Sequence, residues 1–229
     1  MNKSQLIPSR PMKRIFTAGV LGCVIACAGT TSFTQTGVIM IAVDKMTIGA
    51  SPTEFEFART GQGGPSQWSV AADPTASGGR VIEQVSTDTT DYRFPLAIYK
   101  PLSASNLDVT VRFKAVAGKV DRAGGIAVRL SDPDNYYVVR ANALEDNVRF
   151  YRMVKGRREQ LEGANLKVSA NEWHQLGLRA DGERFSITFD GKPLFTTTDR
   201  TFAGSGNIAL WTKADSVTRF DQIEIRPLP

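Results

Sequence analysis

Residues 171–195 read Asn-Glu-Trp-His-Gln-Leu-Gly-Leu-Arg-Ala-Asp-Gly-Glu-Arg-Phe-Ser-Ile-Thr-Phe-Asp-Gly-Lys-Pro-Leu-Phe. Two Asp-Gly pairs, Asp181-Gly182 and Asp190-Gly191, each lie between runs in which apolar and polar residues alternate. Alternation with period two sends successive side chains to opposite faces of a strand, and Asp-Gly supplies the positive φ that tight hairpin turns need. The stretch therefore predicts an antiparallel β-meander.

The same pattern extends outward through most of the chain. Leu107, Val109, Val111 and Phe113 alternate with Asp108, Thr110, Arg112 and Lys114, as do Ile126, Val128 and Leu130 with Ala127 and Arg129. Shorter runs of the same kind occur around residues 54–57, 67–70, 81–85, 92–99, 136–141, 148–154, 194–198, 208–211 and 218–225. Turn-forming clusters separate them: Asp73-Pro74, Ser77-Gly78-Gly79, Asp132-Pro133-Asp134-Asn135 and Gly204-Ser205-Gly206. No segment holds a helical apolar period. About a dozen short strands at this spacing predict an all-β fold, a two-sheet antiparallel jelly-roll sandwich.

The first 28 residues stand apart. Lys3, Arg10, Lys13 and Arg14 precede an uncharged apolar run from Ile15 to Ala28, the layout of an export signal. Ala26-Cys27-Ala28 suits ordinary cleavage, the residues before Cys23 and Cys27 resemble a lipidation motif, and an uncleaved anchor is the third reading. The expected organisation is a signal over 1–28, an N-terminal tail or tether over 29–50 that includes the apolar run 37–43, and one sandwich domain over 51–229. The expected location is extracytoplasmic, with membrane contact only through the signal or a lipid.

Removing the signal changes the charge argument. The chain carries 28 basic and 23 acidic residues, but four of the bases and no acid lie in the signal, so the formal charge falls from +5 to +1. The sequence pI near 9.3 therefore gives no case for nucleic acid. Both cysteines, Cys23 and Cys27, also lie there, and His174 is the sole histidine. Thiolate or imidazole metal sites of the usual kinds are thereby disfavoured, and no cofactor is expected. Asp132-Pro133-Asp134-Asn135 lacks the glycine and glutamate of a calcium-binding helix-loop-helix, since Tyr137 and Ala143 occupy those positions, and reads as an Asx turn.

Strand parity yields one candidate surface. If Ile126, Val128 and Leu130 face the core, Arg129 faces out; likewise Tyr136, Arg140 and Asn142, then Arg149 and Tyr151, then Trp211 and Lys213. Arg152 breaks the alternation, which places a bulge or strand end nearby.

The Trp-His strand and paired Asp-Gly turns resemble concanavalin A-like sandwiches: laminin G-like domains, legume lectins and family 16 glycoside hydrolases. The segments 124–129, 134–140, 147–151, 209–216 and 220–225 also resemble a bacterial exported family, labelled family 16-like or 3-keto-disaccharide hydrolase domain. The resemblance implies a concave sheet that stacks sugar rings on Trp or Tyr while Arg and Asn bind hydroxyls. Arg129, Tyr136, Arg140, Asn142, Arg149, Tyr151, Trp211 and Lys213 are the expected ligand-binding residues, with saccharide or glycoside as partner. It further implies a structural role for His174, and allows a structural calcium ion on Glu54 or Glu56 with Asp221, which read in the first place as solvated edge carboxylates. The Glu-x-Asp-x-(x)-Glu strand of family 16 hydrolases, whose spacing aims every carboxylate at one face, is absent, so no catalytic residue is assigned. Carbohydrate binding is the leading expectation. A glycoside or 3-keto-glycoside hydrolase and a laminin G-like protein-interaction module are the alternatives.

Overall fold

The computed structural model describes Met1 and residues 37–229. The expected signal, both cysteines and the first part of the expected tail lie outside the described residues. Two antiparallel sheets pack face to face, the arrangement by which an all-β chain buries one face of each sheet.

The eight-stranded sheet holds β1 (Ile39–Met40), β3 (Trp68–Ala72), β4 (Arg80–Gln84), β6 (Leu107–Ala117), β11 (His174–Asp181), β12 (Arg184–Phe189), β13 (Lys192–Thr198) and β15 (Val217–Pro227). Its order is β13-β12-β11-β6-β15-β4-β3, with β1 also paired to β15. The second sheet runs β10 (Arg157–Asn165), β9 (Asn147–Val154), β8 (Asn135–Asn142), β7 (Ala123–Asp132), β14 (Gly206–Trp211), β5 (Arg93–Ala104) and β2 (Phe55–Gly61). Among the described residues no helix is long and apolar enough to cross a membrane.

The meander forms as the turn signals predict. Leu176 faces Phe189, Leu178 faces Ile187 and Ala180 faces Phe185 across β11 and β12. At the second turn Asp190 (φ 48°) and Gly191 (φ 73°) both take positive φ, the two-residue pattern whose twist matches flanking strands. Asp190 then reaches back, accepting from the Gln175 amide (2.8 Å) while its other oxygen lies 2.9 Å from His174 Nδ1. His174 is buried, stacked on Phe189, with Nε2 against the Ser169 backbone. It is a brace between strand and turn.

The inter-sheet core consists of the inward parity sets: Val109, Val111 and Phe113 with Leu176, Leu178, Phe185 and Ile187 on one sheet, facing Tyr137, Val139, Val148, Phe150, Ile208 and Leu210 on the other. Residues 39–50, read as part of a tail, join this body: β1 pairs with β15, and Ile41 and Val43 are in the core. Strand β10 has no counterpart in the sequence reading. Its run Arg-Arg-Glu-Gln-Leu-Glu-Gly-Ala-Asn has no apolar face because it is a sheet edge that buries little.

The seven-stranded sheet is strongly curled. Strands β2 and β10 end the sheet on opposite sides, and neighbouring strands lie about 4.8 Å apart. Yet Tyr92, just before β5, donates its hydroxyl to Gly156 O (2.8 Å) and accepts from the Arg158 amide (3.0 Å) at the β9–β10 hairpin. Arg158 also lies over Phe94, and Thr60 on β2 bonds Tyr136 OH (2.7 Å) and Pro133 O. The two sides of the sheet therefore meet across its outer face.

Candidate functional site

The curl makes the face turned away from the inter-sheet core concave. Parity places Tyr136, Arg140, Asn142, Arg149, Tyr151 and Trp211 on it together. In register, Trp211 faces Gly125, Gly125 faces Arg140, Arg140 faces Arg149 and Arg149 faces Gly163. The glycines leave room for their neighbours: a Cβ at Gly125 would sit 3.2 Å from Arg140 Cβ, and one at Gly163 would collide with Arg149 Cδ.

The expected stacking platform is not open. Trp211 and Tyr136 are fully buried and belong to a second apolar cluster with Phe94, Leu96, Ile98, Val138, Tyr151 and Met153. Trp211 stacks on Phe94 (centroids 5.4 Å apart, 18° between planes) and its indole nitrogen is 3.3 Å from Tyr136 OH. Burial pushes the Tyr136 hydroxyl well above its usual pKa. Parity identified the face correctly but took it for a solvated one; the curl folds it onto itself, and the rings fill the hollow.

Arg129 is a second correction. The β7–β8 register breaks after Val128, and Arg129 takes φ 51°. This bulge ends the alternation, so Leu130 joins the second cluster instead of the inter-sheet core. Arg129 turns to the sandwich edge, donating to Ser105 O (2.7 Å), Phe202 O (2.8 Å) and Gly182 O (2.5 Å) above the Phe185 ring. It clamps three loops.

A polar cluster remains at the end of the concave face where β8 turns into β9. Arg140 is 3% exposed. It donates to Asn147 Oδ1 (2.9 Å), Glu145 Oε2 (2.7 Å) and Tyr151 OH (3.1 Å), and its Nε is buried without a partner. Lys213 is also buried, between Asp91 (2.6 Å) and Asp121 (3.0 Å). Asp121, 1% exposed, also accepts from Asn142 Nδ2 at 2.9 Å. The Asn142 oxygen holds the Leu144 and Glu145 amides, which positions Glu145 against Arg140. Arg149 reaches Asn165 Oδ1 (2.6 Å) beside them. Glu145 and Asp91 keep 47% and 72% of their side chains exposed, so the cluster opens to solvent.

The cluster's charges are set by burial against pairing. Burial alone would pull protons off Arg140 and Lys213, but Tyr151 and Glu145 around the first, and Asp91 and Asp121 around the second, outweigh it and hold both cations charged. Burial raises Asp121 despite Lys213. At Glu145 the bonds from Arg140 and Asn147 overcome burial and keep it ionised. The result is an array of charged donors and acceptors held in fixed positions, able to hydrogen-bond a polyhydroxylated ligand.

Sequence reasoning missed Asp121 and Asp91 altogether; parity put Asn147 on the outward face and sequence proximity put Glu145 near it, but neither was assigned to the ligand site. Asp121 lies in a loop with no strand period, and what places it is distant: Asp215 accepts from the Lys119, Val120 and Asp121 amides at 2.7 to 3.0 Å. Among the described residues no group of three or more His, Cys, Asp or Glu could hold a metal. Asp221 is engaged by Arg112 and the Ser77 amide, on the sheet opposite β2 and its Glu56.

A family model described as galactocerebrosidase, C-terminal lectin domain, matches residues 104–228, more than half of the chain and all of β6 to β15. The chain belongs to this family. The lectin-domain match takes in Arg140, Asn142, Glu145, Asn147 and Lys213 and leaves out Asp91. No curated protein matches the chain. Among solved structures, the carbohydrate-binding module CBM66 from Bacillus subtilis is 20% identical, covering 74% of this chain and 94% of its own, with a TM-score of 0.58. A protein of unknown function from Shewanella oneidensis MR-1 is 17% identical over 92% of this chain and 96% of its own (TM-score 0.54). Domain 4 of an extracellular arabinanase from Geobacillus stearothermophilus, in complex with arabinotriose, is 13% identical over 75% and 82% (TM-score 0.50). At such identities the likeness is one of fold. The resemblance drawn from the sequence thus holds at the level of a lectin-like β-sandwich, and the matching model is that of a lectin domain rather than a 3-keto-disaccharide hydrolase domain.

Proposed function

We propose that this member of the lectin-domain family binds saccharide at the polar end of the concave face, with Arg140, Asn147, Glu145 and Lys213 as the ligand-binding groups and the buried Asn142 positioning Glu145. The observation that carries the reading is the Arg140 side chain. It is nearly fully buried, fixed by three partners, and keeps one unpartnered N–H beside a half-exposed carboxylate. Vicinal hydroxyls, each both donor and acceptor, match alternating guanidinium, carboxylate and amide groups. The family match, and the carbohydrate-binding module and arabinotriose-bound domain among the fold's neighbours, support the same reading. The basic start and apolar run of residues 1–28 support export of the protein.

Binding is favoured over hydrolysis because the buried Asp121 and the Oε2 oxygen of Glu145 are tied to Lys213 and Arg140, while the half-exposed Glu145 keeps Oε1 to accept from a hydroxyl. Asp121 is held by Lys213 and Asn142, and Glu145 by Arg140 and Asn147. The test is affinity electrophoresis against a panel of immobilised polysaccharides, comparing the native protein with Arg140→Gln and Lys213→Met. The expected result is retardation by at least one polysaccharide, weakened about tenfold or more in both variants, as for loss of a charged hydrogen bond. Retardation unchanged in folded variants overturns the site.

A further inference from the structure

A groove of about 660 Å³ runs beside the β9–β10 hairpin, lined by Arg152, Val154, Lys155, Arg157, Arg158 and Glu159. Four cations thus surround one acid. Arg152 is accounted for, pairing with Glu159 and Asp199 at 2.9 Å each. Among the described residues Lys155, Arg157 and Arg158 pair with no carboxylate, and residues 2–36 contain no Asp or Glu that could supply one. Asp134, the other acid beside the hairpin, pairs with none of the three. Arg158 Nη1 is moreover buried without a partner.

The hairpin is held firmly. Lys155 (φ 48°) and Gly156 (φ 71°) form the turn, the Lys155 amide donates to Asn135 Oδ1 (3.0 Å), and the Gly156 amide donates to Asp134 O (3.0 Å). Tyr92 ties down both Gly156 and Arg158 from across the sheet. Arg158 is fixed by stacking on Phe94 and Tyr151, and the exposed Lys155 and Arg157 rise from a fixed turn, so ordering the backbone adds nothing to the cost of binding an anion. Residues 37–229 carry 24 basic against 23 acidic side chains, so the hairpin's cations are not part of a net basic surplus over these residues. The excess is local, on the scale of one acidic group. Guanidinium forks match a carboxylate or sulfate with two parallel bonds.

We propose that this groove binds the carboxylate or sulfate of an acidic saccharide, a site that adjoins the Arg140 cluster through Tyr151, whose ring lies under both Arg140 and Arg158. The saccharide part rests on the function proposed above, whereas the anion part does not. The test is titration calorimetry of the full chain with four probes: a galacturonate oligosaccharide, a neutral galactose oligosaccharide of equal length, inorganic sulfate, and phosphatidylglycerol vesicles. The variants are Lys155→Ala/Arg157→Ala and the charge-keeping Lys155→Arg/Arg157→Lys. The acidic oligosaccharide is expected to bind about tenfold or more tighter than the neutral one, less so at high salt. The alanine variant loses that advantage while keeping neutral binding and its unfolding midpoint, and the charge-keeping variant retains it. Equal binding of the two oligosaccharides, an advantage untouched by the alanine variant, or binding to vesicles alone overturns the proposal and leaves the Arg140 reading standing. Sulfate binding lost in the alanine variant, with neither oligosaccharide bound, overturns the saccharide reading and confines the groove to simple anions.

Discussion

Replacing Trp211 by alanine separates a second core from a sugar-stacking platform. The ring is fully buried, packed on Phe94 at 5.4 Å and bonded to Tyr136 OH. Truncating a buried tryptophan costs about 3–5 kcal/mol, within which the aromatic pair contributes about 0.5–1.5 kcal/mol. For a domain of this size each kcal/mol moves the melting temperature by about 2–4 °C, so Trp211→Ala is expected to melt about 6–20 °C lower. Trp211→Phe keeps a ring on Phe94 but loses the indole N–H and the bulk of the second ring, while Tyr136 OH retains Thr60 as its partner. It is expected to lose about 1–2 kcal/mol. Urea unfolding followed by tryptophan fluorescence and circular dichroism reads both, the midpoint falling with an unchanged slope. An unaltered midpoint for Trp211→Ala, coupled with lost saccharide binding, would refute the packing argument and restore Trp211 as an exposed platform.

The remaining predictions concern residues whose roles are structural or electrostatic. Arg129→Ala leaves three backbone carbonyls without their donor and is expected to destabilise by about 3 kcal/mol or more while saccharide binding persists. Lost binding at an unchanged unfolding midpoint would return Arg129 to the ligand site. Gly118→Ala is expected to prevent native folding of the 118–121 loop, because φ is 139° and a Cβ would overlap the Asp121 carbonyl; normal yield and melting temperature would contradict this. At Asp73 burial acts to raise the pKa, but bonds from Lys114, Thr75 and Arg219 prevail and hold the carboxyl well below its usual 3.8. Its contribution to stability is therefore complete above pH 3.8 and lost as the pH falls further. Asp73→Asn is expected to flatten the fall of the urea midpoint below about pH 4; an acid limb as steep as that of the native protein would show that other carboxylates carry it.

Much of the fold is local information. The Asp-Gly turns and the alternation of residues 174–189 set three paired strands, because turn conformation and side-chain parity are properties of a few neighbouring residues. The same parity grouped Tyr136, Arg140, Asn142, Arg149, Tyr151 and Trp211 on one face. Strand β10 escaped because an edge strand needs no apolar face, and Arg129 was misplaced because one bulge residue reverses every later assignment on its strand.

What the sequence by itself determined was the all-β class, most of the strands and which side chains share a face. Whether that face is wet was decided by tertiary structure alone. The curl that brings Tyr92 to Gly156 and Thr60 to Tyr136 joins residues more than sixty positions apart, and it turns Trp211 from a surface ring into core. The polar site is equally non-local: Asp215 positions Asp121, and Asp121 with Asp91 holds Lys213. Alternation is dictated by the geometry of a single strand, whereas burial and charge pairing depend on which distant strands the sheet's curvature brings together.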